Sequence, residues 1–119
     1  MTDISRAIAS AIAAFREAAV AKAEFATPSA KDHELHAAMA TAWRLCRSSD
    51  EGIRALRELL EDSNDYVRCW VAAGLLSIGE VHARSTLEVI AQRSDLLGFN
   101  AQIVLQEFEA GRLRSPFDA

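Results

Sequence analysis

Cysteine is scarce in this chain: Cys46 and Cys69 are the two among 119 residues. Their spacing fits neither a CxxC pair nor a zinc site. Both fall in apolar helical segments, where a free thiol behaves as a small hydrophobe, so the chain reads as reduced and cytoplasmic. Aromatic residues are equally sparse, 7% of a chain whose hydrophobic content is 50%. Ala, Leu, Ile and Val must therefore supply the core, and alanine in such numbers favours helices over strands.

An excess of positive charge is also missing. Thirteen Lys and Arg stand against seventeen Asp and Glu, a net charge of -4. Affinity for a nucleic-acid backbone comes mainly from Lys and Arg displacing counterions, so a nucleic-acid partner is not expected. A basic protein partner is left open. No apolar run approaches the roughly 20 residues a membrane span requires. The run "AIASAIAAF" is preceded by Asp3, closed by Arg16 and Glu17, and lacks a basic leader region, so it reads as a helix of the domain.

Recognisable catalytic patterns are absent as well. There is no G-x-S-x-G, no glycine-rich loop to cradle a phosphate, and no histidine beside either cysteine in sequence. The expectation is a protein without enzymatic activity or cofactor.

Helical periodicity dominates what remains. Helix one is expected from about Asp3, as N-cap, to Phe25, with Ile4, Ile8, Ile12, Phe15 and Ala19 on one stripe and Thr27-Pro28 ending it. Ser29 with Asp32 forms a capping box for helix two, whose stripe is Leu35, Met39, Trp43 and Cys46. Ser48 with Glu51 repeats the device before helix three, which carries Ile53, Leu56, Leu59 and Leu60 and breaks at "EDSND". Asn64 or Asp65 caps helix four, which runs to Gly79. Helix five spans about His82 to Arg93, and helix six begins at Ser94 or Asp95 and stops at Gly111. Residues 112–119, "RLRSPFDA", read as an irregular tail.

At an offset of thirty residues Leu60 pairs with Ile90, Asp65 with Asp95, Val67 with Leu97, Leu75 with Leu105, and Ile78 with Phe108. Helices three and four then form one hairpin and helices five and six a second copy. Helices one and two make a divergent first unit. The expected architecture is one all-α domain, a right-handed array of three antiparallel helical hairpins over about residues 3–47, 49–79 and 80–111.

The segment "VRCWVAAGLLSIG", Val67 to Gly79, resembles the second helix of a HEAT repeat, with Val67, Arg68, Ala72, Leu75, Ile78 and Gly79 matching in place. Val71 and Gly74 depart from the pattern, and Gly98 replaces Arg68 in the second copy. The layout is also similar to small, uncharacterised bacterial single-domain proteins with HEAT-like hairpins. The resemblance implies a structural Arg68, bonded to an acidic loop residue of the adjacent repeat; a partner contact is the alternative.

Helix four is apolar nearly all round. One reading makes it the central helix of the stack, covered on both flanks. The other exposes part of it, with Trp70, Leu76, Phe99 and Ile103 forming a contiguous patch for a protein partner on the shared face of helices two, four and six. On that second reading the chain is a protein-interaction module with acidic residues at the rim, of which an immunity or antitoxin-like protein masking a basic toxin is one form. Closure of the same patch in a homodimer is the alternative. The densest ionisable cluster, "KDHELH", offers Asp32, His33 and His36 as weak metal-ligand candidates, on which a metal-dependent enzyme would be the second alternative function, and His82 beside Glu80 is weaker still. It matches neither HExxH nor Glu-x-x-His, and a solvated first helical turn is the simpler explanation.

Overall fold

In the computed structural model, which describes residues 2–25 and 29–118, every regular element is helical. Six α-helices are present among the described residues: α1 (Asp3–Lys22), α2 (Ala30–Arg47), α3 (Asp50–Glu58), α4 (Asp65–Ser77), α5 (Ala83–Ile90) and α6 (Leu96–Glu109). A 3₁₀ turn, Leu59–Glu61, closes α3. The radius of gyration is 13.6 Å, and one compact domain of this length is expected near about 13.5 Å.

Side-chain caps set most of the helix starts by satisfying backbone N–H groups that have no intrahelical partner. Ser29 Oγ accepts from the Asp32 N–H at 3.1 Å, and Asn64 Oδ1 accepts from Tyr66 and Val67. Asp95 accepts from Gly98 at the start of α6. Two caps sit one residue from their expected positions. Thr2 rather than Asp3 caps α1, accepting from Ser5 at 3.0 Å. Ser49 rather than Ser48 caps α3, because Ser48 Oγ donates to the Leu45 carbonyl and closes α2 instead.

Helix α1 ends at Lys22, and Ala23 and Glu24 form a turn, so it stops short of Phe25. Thr27-Pro28, expected to end it, lies outside the described residues. Its stripe is rotated from the expected one: Ile8, Ala11, Phe15, Ala18 and Ala19 are buried, and Ile4 is exposed. Alanines turn inward here because α2 packs closely along the length of α1. Helix α2 buries Met39, Trp43 and Cys46 as expected, with Leu35 partly buried.

The α5–α6 corner explains Gly98. A Cβ there would fall 2.1 Å from the Arg93 carbonyl oxygen, so a repeat-pattern arginine has no room. Helices α4 and α6 are both followed by a glycine with positive φ, Gly79 at 90° and Gly111 at 73°, the left-handed conformation that closes a helix without steric cost to glycine.

Helix α4 packs against α1, α3, the 3₁₀ turn, α5 and α6. This accounts for most of its apolar circumference. Val67, Val71, Ala72 and Leu75 are fully buried, and Leu76 is 1% exposed. Among the described residues no helix is long and apolar enough to cross a membrane.

Candidate protein-binding groove

A groove of about 570 Å³ runs between the end of α1, one side of α4, the side of α6 and the C-terminal tail. Helix α4 contributes Tyr66, Cys69, Trp70 and Ala73. Cys69 and Ala73 are nearly buried, whereas Trp70 is half-buried. Opposite them stand Leu96, Asn100 and Ile103 of α6, and the tail adds Leu113, Arg114 and Pro116. Two cations, Lys22 and Arg114, belong to the lining, and no carboxylate of the described residues does.

Of the expected patch, Trp70 and Ile103 line the groove. Phe99 stands outside it, 55% exposed, on the face of α6 that also carries Leu96 and Ile103 by the spacing i, i+3, i+7. Leu76 does not belong to the patch. Its position on α4 turns it into the core, where neighbouring helices cover it.

The chemistry of the groove is shaped by a part-buried ion pair. Lys22 Nζ bonds Asp32 Oδ1 at 2.5 Å and lies 5.2 Å from the centre of the Trp70 ring, so the ammonium sits between a carboxylate and an aromatic face. Burial pushes the Cys69 thiol up to about 11 and the Cys46 thiol likewise. A thiolate is the nucleophilic form, so neither sulfur is activated near neutral pH.

Arg68 is tied up within its own turn: Nη1 donates to the Asp62 carbonyl at 2.6 Å, and the guanidinium pairs with Asp65. Asp62 lies in the turn before α4 and Asp65 in the first turn of α4 itself, so neither partner belongs to an adjacent helical pair. The bridge between successive helical pairs is made by Arg93, which pairs with both Asp65 and Asp95. Arg93 carried no distinguishing signal in the sequence.

Asp32, His33 and His36 are not brought to one point. Asp32 is engaged by Lys22, His36 Nε2 lies 2.7 Å from the Pro116 carbonyl oxygen, and His33 is exposed. Among the described residues no group of three or more His, Cys, Asp and Glu stands close enough to hold a metal ion. His82 is exposed in the turn before α5, and Glu80 pairs with Arg57 at 2.5 Å.

Phe117 lies in the segment expected to be an irregular tail. It is 3% exposed, and its ring lies 5.4 Å from Phe15, 5.2 Å from Trp43 and 5.9 Å from Trp70 between centroids. A lone aromatic residue in a polar tail was its one signal. Trp43 is fully buried, and its Nε1–H has no hydrogen-bond partner among the described residues. No protein-family model matches the chain, and neither a curated protein nor a solved structure does.

Proposed function

We propose that the chain is a non-enzymatic protein-interaction module, built as a HEAT-like stack of three helical hairpins, that holds an apolar segment of a partner protein in the groove between α4 and α6. The observation that carries this reading is the pairing of an apolar groove with an exposed, uncharged helix face. Leu96, Phe99 and Ile103 are 62%, 55% and 40% exposed, and no ionisable residue occurs from Leu96 to Gln106. Contiguous exposed apolar surface of this kind marks interaction sites in soluble domains. Half-buried Trp70 at the floor supplies the aromatic anchor from which interfaces draw much of their energy.

The net charge of -4 favours long-range attraction of a basic protein, including the toxin-masking form. The contact itself has a different requirement. With Lys22 and Arg114 in the lining and no carboxylate of the described residues, the segment held in the groove is apolar and carries its acidic groups toward Arg114. A reducing, cytoplasmic setting suits two buried free thiols.

The uncharged α6 face also supports a second reading, a homodimer. An isologous interface presents the same patch from both subunits, so a chain of net charge -4 associates with itself most readily through a face without charge.

One experiment separates the two. Wild type and a Phe99→Glu, Ile103→Asp double variant, matched in helicity, are compared as baits in lysate of the source cells and by light scattering alone. A partner retained by wild type and lost by the variant supports the module. A wild-type dimer that falls to monomer, with no partner lost, supports the homodimer. Identical baits and monomers in both cases would sink both readings.

A further inference from the structure

Residues 112–118 contain no helix, yet their last three residues are held against α2. Phe117 enters a pocket walled by Phe15, His36, Trp43 and Trp70, with the His36 ring stacked on it at 5.8 Å. The pocket depends on an absent side chain in α4: a Cβ at Gly74 would approach the Phe117 ring to 3.0 Å.

The polar contacts around this ring go mainly to backbone. His36 Nε2 lies 2.7 Å from the Pro116 carbonyl oxygen, and Arg44 Nη1 donates to the Phe117 carbonyl at 3.1 Å. One residue further on, Arg47 Nη1 donates to Asp118 Oδ2 at 2.8 Å. Three side chains of α2, at positions 36, 44 and 47, thus read two successive carbonyls and a carboxylate. From Leu113 to Pro116 the tail side chains are exposed or half-buried, so Phe117 is the single buried anchor.

A chain segment that belongs to a helical core buries a periodic stripe. One aromatic anchor, backbone acceptors and a flanking acid describe instead a short peptide, turned at Pro116 and Phe117, lying in a receptor site.

We propose that the Phe117 pocket is a peptide-recognition site for a short turned segment in which proline precedes an aromatic residue and a carboxylate follows it, and that the chain's own tail fills the site until such a segment displaces it. The tether gives the tail an effective concentration on the order of millimolar, so a free segment of equal intrinsic affinity competes only when it is abundant or makes further contacts. Further contacts are at hand. Leu113, Arg114 and Pro116 form one wall of the groove, and their departure would join the pocket to it. The proposal does not depend on what fills the groove, because its probe is the tail sequence itself.

The test uses full-length Phe117→Ala protein and a fluorescein-labelled peptide, RLRSPFD, which reproduces residues 112–118. Anisotropy should rise saturably with the variant and be weaker by about tenfold or more with wild type, whose tail competes. Replacing phenylalanine in the peptide by alanine should weaken binding to the variant by about tenfold or more. Adding Arg47→Glu should weaken it further. No saturable binding to a variant of wild-type helicity, or equal binding of the alanine peptide, overturns the proposal. Should Phe117→Ala fail to fold, hydrogen exchange on wild type decides. Tail amides that exchange while α1, α2 and α4 stay protected support a displaceable occupant, and tail amides that exchange only with those helices show an integral part of the core and overturn it.

Discussion

The ring of Trp43 stands where a side chain at Gly74 would be: a Cβ at Gly74 would lie 2.8 Å from two carbons of the indole. Trp43 is fully buried and the neighbouring Phe117 nearly so, so neither ring has free space to move into. The approach of α4 to α2 at this point is therefore set by the absence of one methyl group.

Gly74→Ala tests that contact directly. Alanine favours a helix interior by up to about 1 kcal/mol over glycine, whereas overpacking a filled core costs about 1–3 kcal/mol. The variant should be destabilised by about 1–2 kcal/mol, read as a lower urea midpoint with an unchanged slope. An equal or higher midpoint would mean that the Trp43 ring yields at little cost.

The Lys22–Asp32 pair predicts a non-additive cycle. Both side chains are largely covered, 13% and 12% exposed, with the nitrogen and oxygen 2.5 Å apart. Lys22→Met would leave the Asp32 carboxylate covered and without its cation, at a cost of about 2–4 kcal/mol. Lys22→Met with Asp32→Leu removes both charges and should cost less than Lys22→Met alone. Equilibrium unfolding of the four proteins gives the coupling. If the two single effects simply add, the pair is solvated and contributes little.

Acid should weaken the α5–α6 corner through Asp95. Hydrogen bonds from Arg93, then from the Gly98 N–H, hold this carboxyl down to about 2, below the ordinary value of roughly 3.9. A carboxyl with a lowered pKa in the folded state contributes stability that is complete above its unfolded value and is lost as pH falls through the folded one. Asp95→Asn keeps an oxygen to cap Gly98 but loses the charge. Its urea midpoint should fall below that of wild type at pH 7, and the gap should close between about pH 4 and pH 2. A gap that stays constant down to pH 2 would assign the effect to capping geometry alone. Both partners are exposed, so added salt should narrow the gap at pH 7.

Helix positions were legible in the sequence wherever the deciding interaction spans three or four residues. Ser29, Asn64 and Asp95 cap where their side chains meet the next backbone N–H groups, and Met39 and Trp43 are buried where a period near 3.6 places them. The one-residue shifts at Thr2 and Ser49 arise because two adjacent polar residues can each reach a free N–H, and chain direction at the corner chooses between them.

The candidate site was legible only in part. Trp70 and Ile103 stand together in the lining of the groove, Phe99 stands outside it, and Leu76, equally apolar and on the same helix as Trp70, is covered by neighbouring helices. Periodicity states which residues share a face; it carries no information on how many faces have neighbours.

By itself, then, the sequence determined an all-helical chain, the caps at Ser29, Asn64 and Asp95 and the inward stripe of α2, since these follow from local hydrogen bonds and the helical repeat. Tertiary structure alone decided that Arg93 bridges two turns, that Lys22 pairs with Asp32 beneath Trp70, and that Phe117 closes the core against Phe15 and Trp43. Each of these depends on the distance between helices, and that distance is set by the volumes of packed side chains, down to the missing Cβ at Gly74.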